Sequence, residues 1–424
     1  MKMMPYWLDT APRFAAGERD APSGEVDVAI VGAGFTGPSA AIALAKKGAK
    51  VAVFEAGLVG NAASGRNGGM CNNGFAQDYH ALSTAIGRER ANLLYRAFDA
   101  GVSKVESLIT EENIDCSFKR VGKLKLAAKP EHFDKLARSQ ALMEQECDPD
   151  TSMLTREQLS GEVGTDRYFG GLLFGKSAGM HVGRYGQGLA EAAALRGVRI
   201  YEQAPVLGLS RQTGTVHQVK TPRGEVRAKQ VLLATGTSAV GPLSWFRRRI
   251  VPVGAFIIVT EPLSAELLDR LVPSRRMYTD TKTSLTTFAS RPTIVCCSVD
   301  VRFATSNPAS DAKSGVILQK ALIDIFPELS GTRIDYCWGG MVDMTRDRLP
   351  RAGEHDGLFY SMGYSGHGTH MATYMGAIMA EVLDGRADLN PWRDFNWPAI
   401  PGHFGNPWFL PLVGAYYRFQ DLVR

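Results

Sequence analysis

Residues 26–31 form a short apolar run broken only by Asp27 and stopped by Gly32. Such a run ending at glycine predicts a buried parallel strand. Apolar residues recur at Ala41, Ile42, Leu44 and Ala45, up to Gly48, and this spacing predicts a helix over 38–47. Pro38 falls in its first turn, where a missing amide hydrogen costs little. Residues 50–55 predict a second strand, so a complete βαβ unit opens the chain. An arm of about 24 residues precedes it, judged from the predicted strand start.

Beyond this unit, residues 62–75 are rich in Gly, Asn and Ser and read as a loop. Helical periodicity returns over 90–109, 130–145 and 187–195, the last ended by Gly197. Strands are predicted over 122–128, 198–203, 215–221 and 225–233. The last of these runs into Ala234, Thr235 and Gly236 and reads as a return to the first sheet. Residues 250–260 and 293–303 predict strands of a separate unit. A late strand over 357–364 and a late helix over 370–383 follow. The pattern predicts an α/β fold, a Rossmann-like βαβ domain interleaved with a mixed-sheet α+β substrate domain.

Composition narrows the picture. A chain of 424 residues is too long for one hydrophobic core. Apolar content of 45% and charged content of 21% are ordinary for a globular protein. The formal charge of +5 is mild, and the densest basic cluster is Arg247-Arg248-Arg249, so no nucleic-acid partner is expected. Six cysteines include no CxxC pair and no zinc-like spacing, so no metal is expected. Reduced thiols in a cytoplasmic protein are the simplest reading. Residues 1–14 lack the pattern of a signal peptide. No apolar run approaches the roughly 18 residues of a membrane span. The aromatic tail, residues 391–424, is expected to pack on the parent domain or another subunit rather than on a membrane.

Gly32-Ala33-Gly34-Phe35-Thr36-Gly37 sits between the first strand and its helix, where a dinucleotide-binding turn must be. Gly32 permits the tight turn, Gly34 lets backbone approach a pyrophosphate, and Gly37 allows close packing of helix on strand. The helix N-terminus offers amide groups to the phosphates. Glu55, followed by Ala56, ends the second strand, where a carboxylate accepts ribose hydroxyls and disfavours a 2′-phosphate. The turn alone does not separate FAD from NAD.

Four further segments carry a resemblance: Ala63-Ser64-Gly65-Arg66-Asn67-Gly68-Gly69; Leu232-Leu233-Ala234-Thr235-Gly236; Trp338-Gly339-Gly340 through Thr345-Arg346-Asp347-Arg348-Leu349-Pro350; and Gly363-Tyr364-Ser365-Gly366-His367-Gly368. The chain resembles the D-amino-acid-oxidase-like FAD-dependent oxidoreductases, and within them the γ-glutamylputrescine oxidoreductase group. The resemblance implies FAD and a division into FAD-binding pieces (1–90, 183–246 and 337–390) and substrate-domain pieces (91–182 and 247–336), ahead of the tail. It implies that Ser64 and Arg66 bond the pyrophosphate or ribityl hydroxyls. Asn67, Gly68, Gly69 and Met70 run beside the flavin ring. Val206 touches adenine, core packing being the competing reading, and Gly236 admits the cofactor. Gly366, His367 and Gly368 open a helix whose N-terminus stabilises the reduced ring, His367 adding a positive charge or a hydrogen bond. Relatives attach FAD covalently through a cysteine near this region. Cys337 lies out of register, so FAD is expected to be non-covalent.

The implied reaction oxidises the C–N bond of a primary or secondary amine, an amino acid or a γ-glutamyl amine. Hydride passes to flavin N5, the imine hydrolyses, and oxygen or another acceptor reoxidises the cofactor. An NAD-dependent dehydrogenase, or a flavin-binding protein without amine oxidase activity, is the alternative. Pocket candidates are His181, Trp338, Tyr364 and Asp300. His181 reads equally as a structural histidine, and Trp338 and Tyr364 equally as core aromatics. Asp300 stands in a 298–303 segment where relatives have a cation, or it is an ordinary exposed aspartate.

Overall fold

The computed structural model describes residues 1–424 except 239, 283–285, 292–293, 300–307, 414–415 and 417–424. Strand Glu25–Val31 lies between Gly224–Leu233 and Val51–Phe54 and is parallel to both. A strand with a neighbour on each edge and cover on each face must be apolar almost throughout, which is what 26–31 provides. Arg199–Tyr201 extends this sheet on one side. Leu358–Met362 and Arg351–His355 extend it on the other. The hairpin Gly208–Thr213 and Val216–Thr221 folds onto Gly224–Leu233.

The helix after the glycine turn is Thr36–Lys46, starting two residues earlier than its periodicity indicates. It packs on the late helix Gly368–Leu383 so closely that a Cβ on Gly376 would lie 2.5 Å from the Thr36 carbonyl oxygen. Residues 62–75 hold a short 3-10 turn, Ala63–Gly65, and a two-residue strand, Met70–Cys71, paired with Ala178–Gly179. Helix Tyr79–Ile86, missed by periodicity, is capped by Asp78, whose carboxylate accepts the Ala81 amide.

A second sheet runs Ile334–Met344, Val251–Thr260, Ile294–Val299, Thr286–Arg291, Met277–Asp280, Lys123–Leu126, Gly171–Phe174 and Thr151–Leu154. The segment from Trp338 to Met344, grouped by sequence with the first domain, continues the edge strand of this second sheet. Strand alternation divides its faces. Leu124, Leu126, Phe256, Ile258 and Tyr278 pack against Leu318, Leu322 and Ile325 of helix Pro308–Ile325. Lys123, Lys125, Ala255, Ile257 and Thr279 line a cleft. Asp300 lies outside the described residues.

The N-terminal arm is a strap. Trp7 is fully buried, donates its indole N–H to the Asn67 carbonyl at 2.6 Å, and abuts Gly69. The tail turns back on the first sheet. Trp397 packs on Trp245 and Tyr360 at ring distances of 5.6 and 5.3 Å. Among the described residues, no helix is long and apolar enough to cross a membrane. Removing a buried tryptophan that braces a loop leaves a cavity and an unpaired carbonyl. Trp7→Ala is therefore expected to cost about 3–5 kcal/mol, read from the denaturant midpoint; an unchanged midpoint contradicts the strap.

Candidate active site

The turn is held by backbone contacts that no side chain interrupts. Gly32 adopts φ +108°, and a Cβ there would lie 2.5 Å from the Ala234 carbonyl oxygen. A Cβ on Gly37 would lie 2.0 Å from the Gly32 carbonyl oxygen. Glu55 locks the turn from the next strand. One carboxylate oxygen accepts the Ala33 amide and the other the Gly57 amide, both at 2.8 Å. Ser64 reaches over from its loop, its Oγ accepting the Phe35 amide at 3.0 Å.

The loop is anchored to both sheets. Arg66 donates from Nε to the Asn61 carbonyl and from Nη1 to the Gly339 carbonyl, at 2.8 and 2.9 Å. A guanidinium has five N–H donors, so these bonds leave others for a ligand. Burial lowers the pKa of Arg66. Asn67 donates to the Ala63 and Ser64 carbonyls and accepts the Gly69 amide. Gly69 sits at φ +72° under Trp7.

The late turn closes the other wall. Asp343 Oδ2 accepts the Gly363 amide at 2.7 Å, and Ser365 Oγ accepts the Thr345 amide at 3.1 Å. Burial pushes Asp343 up to about 6, against the Gly363 and Tyr364 amides that favour its charged form. The Tyr364 hydroxyl lies 2.8 Å from both Thr36 Oγ1 and Ser361 Oγ, bridging the two helix-bearing halves of the first sheet. Gly366 adopts φ +88° with open space beside it.

These segments converge on one cleft of about 1200 Å³, above the roughly 300–1,000 Å³ of an ordinary ligand pocket. Its lining includes Gly32, Gly34, Phe35, Thr36, Glu55 and Ala56. It also includes Ser64, Arg66, Asn67, Gly68, Met70, Val206, Gly236, Tyr364, Gly366, His367 and Gly368. Gly37 and Gly69 stand behind this surface as packing positions.

Two sequence candidates belong elsewhere. His181 caps helix Val182–Leu195, its Nδ1 accepting the Arg184 amide at 3.2 Å. Nε2 is then the protonated nitrogen and donates to Thr10 Oγ1 at 2.9 Å. Trp338 is buried behind the wall, its indole N–H donating to the Arg66 carbonyl at 3.0 Å. His181 ties its helix to the N-terminal arm and Trp338 supports the loop; neither lines the cleft. His367 does line the cleft, but burial, with Lys123 nearby, pushes it down to about 3. That depression favours the neutral imidazole.

Sequence reasoning passed over Asp343, Lys123 and Lys125. Asp343 lies inside the third of the resembling segments, but its place near the end of an edge strand, against the Gly363 amide, is visible only in three dimensions. The two lysines alternate with leucines, a pattern that usually marks a solvent face.

The family model described as FAD dependent oxidoreductase matches residues 27–382. The chain belongs to this FAD-dependent oxidoreductase family. The probable oxidoreductase OrdL of Haemophilus influenzae is 33% identical over 94% of this chain and 92% of its own length. The gamma-glutamylputrescine oxidoreductase of Escherichia coli is 31% identical over 98% of this chain and 97% of its own. Among solved structures, glycine oxidase from Geobacillus kaustophilus superposes with a TM-score of 0.69 at 20% identity, covering 88% of this chain and 96% of that one. An L-amino acid deaminase from Proteus vulgaris gives a TM-score of 0.72 at 17% identity, covering 90% and 99%. These likenesses establish the flavoenzyme fold.

Within this FAD-dependent oxidoreductase, the depressed His367 gives a direct expectation. Its imidazole resonances show no titration between about pH 5 and 8, against an ordinary histidine value near 6.5. A midpoint near 6.5 in a selectively labelled sample contradicts a buried neutral ring.

Proposed function

We propose that this flavoenzyme oxidises the C–N bond of a small amine or amino acid and holds FAD without a covalent bond. One observation carries the reading. The glycine turn, the loop around Ser64 to Met70 and the late turn around Gly363 to Gly368 line a single cleft that continues onto one face of the second sheet. The names of the relatives, an oxidoreductase of γ-glutamylputrescine and oxidases of glycine, support an amine or amino-acid substrate.

The residues suit FAD. Gly32 and Gly37 leave no room for a Cβ, so backbone amides can approach a pyrophosphate at the helix N-terminus. Each Glu55 oxygen accepts one backbone amide and keeps a lone pair for a ribose hydroxyl. We assign Ala56 and Val206 to the adenosine end, and Ser64 and Arg66 to the pyrophosphate or ribityl chain. Asn67, Gly68, Gly69 and Met70 are assigned to the strip of backbone along the ring, with Gly236 on the approach to it. Gly366, His367 and Gly368 lead into the late helix, whose N-terminal dipole favours negative charge on the adjacent ring.

FAD, when bound, supplies the two-electron acceptor, so that a neutral amine with an α-hydrogen leaves as an imine for water to hydrolyse. The chain orients the partners and excludes water. Tyr364 holds Thr36 at the helix start, and neutral His367 offers a hydrogen bond without competing for the amine's proton. Non-covalent attachment is supported by the cysteines. Among the described residues none lines the cleft. The Cys337 thiol donates into the core to the Asp311 carbonyl, and burial pushes it up to about 11. The final electron acceptor, in this reading, is oxygen or another small oxidant, and the setting is cytoplasmic.

Two measurements follow. Acid precipitation of the purified enzyme releases its yellow colour into the supernatant, whereas colour kept in the pellet contradicts non-covalent binding. Anaerobic mixing with a panel of amines, amino acids and γ-glutamyl amines bleaches the visible flavin band with at least one member. A flavin that photoreduces, yet that no member bleaches in the dark, sinks the amine reading.

A further inference from the structure

The C-terminal tail follows the part of the chain that the family accounts for, which ends at residue 382, and it returns to the cleft. Its first stretch is fastened to residues 245–250, on the link between the two sheets. Arg249 Nε donates to the Trp397 carbonyl at 2.6 Å, and the Ile400 amide donates to the Arg248 carbonyl at 3.0 Å. Buried His403 donates from Nε2 to the Ile250 carbonyl at 2.8 Å.

Beyond these anchors the chain makes one helical turn. The Leu412 and Val413 amides both donate to the Phe409 carbonyl, at 3.0 and 3.1 Å. The turn sorts its side chains. Phe409, Leu410 and Val413 are half-buried and line the cleft, as does Ile400. Trp408 and Leu412 face away, 62% and 66% exposed. Positions four apart share a helix face, so Phe409 with Val413 makes the inner face and Trp408 with Leu412 the outer one.

A chain of contacts places this turn along the cleft. A Cβ on Gly405 would lie 3.8 Å from the Arg247 Cβ. Arg247 donates to the Gly241 carbonyl at 3.4 Å, and a Cβ on Gly241 would lie 2.4 Å from the Val206 carbonyl oxygen. Through Arg247 and Gly241 the tail thus reaches Val206, the residue assigned to the adenosine end. Val251, which follows the anchored segment, also lines the cleft. The lysines of strand Lys123–Leu126 lie four strands across the second sheet from Val251–Thr260, about 19 Å away at the usual strand spacing. Half-buried apolar side chains gain when a flat apolar surface covers them, and an adenine ring has one.

We infer that residues 400–413 form a cover over the adenosine half of FAD, and that Phe409, Leu410 and Val413 retain a cofactor held without a covalent bond. The inference rests on the FAD-binding reading of the cleft and gives the tail a part in it.

The test reads cofactor release rather than turnover. Holoenzyme is diluted, and the flavin still bound to protein is followed by rapid desalting at successive times. The double variant Phe409→Ser with Leu410→Ser is expected to release FAD at least about 10-fold faster than wild type, as loss of buried apolar surface requires. Leu412→Ser, on the outer face, stays within about twofold. Unchanged release from the double variant overturns the cover. Equal acceleration by Leu412→Ser also overturns it, because the tail would then act only through general stability. A raised KM for amine with unchanged release assigns the tail to the substrate end and overturns it too. If the double variant does not fold, Val413→Ala removes only two methyl groups and is read in the same way. About threefold faster release is expected of it, and unchanged release is contrary. Purified protein that carries no flavin contradicts the FAD reading itself, whereas bound flavin released at equal rates contradicts the cover alone.

Discussion

Three backbone segments meet at Gly32 with no side chain between them. The Ala234 carbonyl presses on one side of Gly32, and the Gly32 carbonyl itself presses on Gly37. A methyl group at either glycine would have to displace main chain, since the spaces are 2.5 and 2.0 Å. The first helix therefore sits against its strand at the distance that aims its N-terminal amides into the cleft. The remaining site geometry is referred to that point. Glu55 holds Ala33, Ser64 holds Phe35, and Tyr364 holds Thr36. Three different parts of the chain are thereby registered against one short turn.

The second wall depends on a strand that serves two bodies. Ile334–Met344 is the edge of the second sheet. Its far end delivers Asp343 to the Gly363 amide, and its middle takes the Arg66 guanidinium on the Gly339 carbonyl. Movement of the second sheet would thus be felt by the loop and by the late turn. The cleft is shaped by the first sheet's loops on one side and by one face of the second sheet on the other. That is why the glycine turn, the Ser64 loop and the late turn border a single cavity together with that face.

Much of this was legible in the chain. The turn, Glu55 and the strings around Ser64 and Gly366 are local, and local patterns report backbone needs directly. What was not legible is where a face points. Lys123 and Lys125 alternate with leucines as a solvent-facing strand does, yet the solvent side is a cleft wall. His181 and Trp338 were pocket candidates by resemblance; the structure gives one to a helix cap and the other to the Arg66 carbonyl. Trp7 belongs to an arm with no periodic pattern, and it braces the Asn67 loop from more than fifty residues away in sequence. Long-range contacts of this kind leave no mark on periodicity.

The central claim is that one cleft, running from the Gly32 turn to the late helix, holds the whole cofactor. An experimental structure of the FAD-bound protein tests it most directly. The account predicts the pyrophosphate at the amides of residues 32–37, the ribose at Glu55, and the ring between the Asn67 to Met70 backbone and the start of helix Gly368–Leu383. A ring found outside that interval, or a pyrophosphate away from the turn, would contradict it.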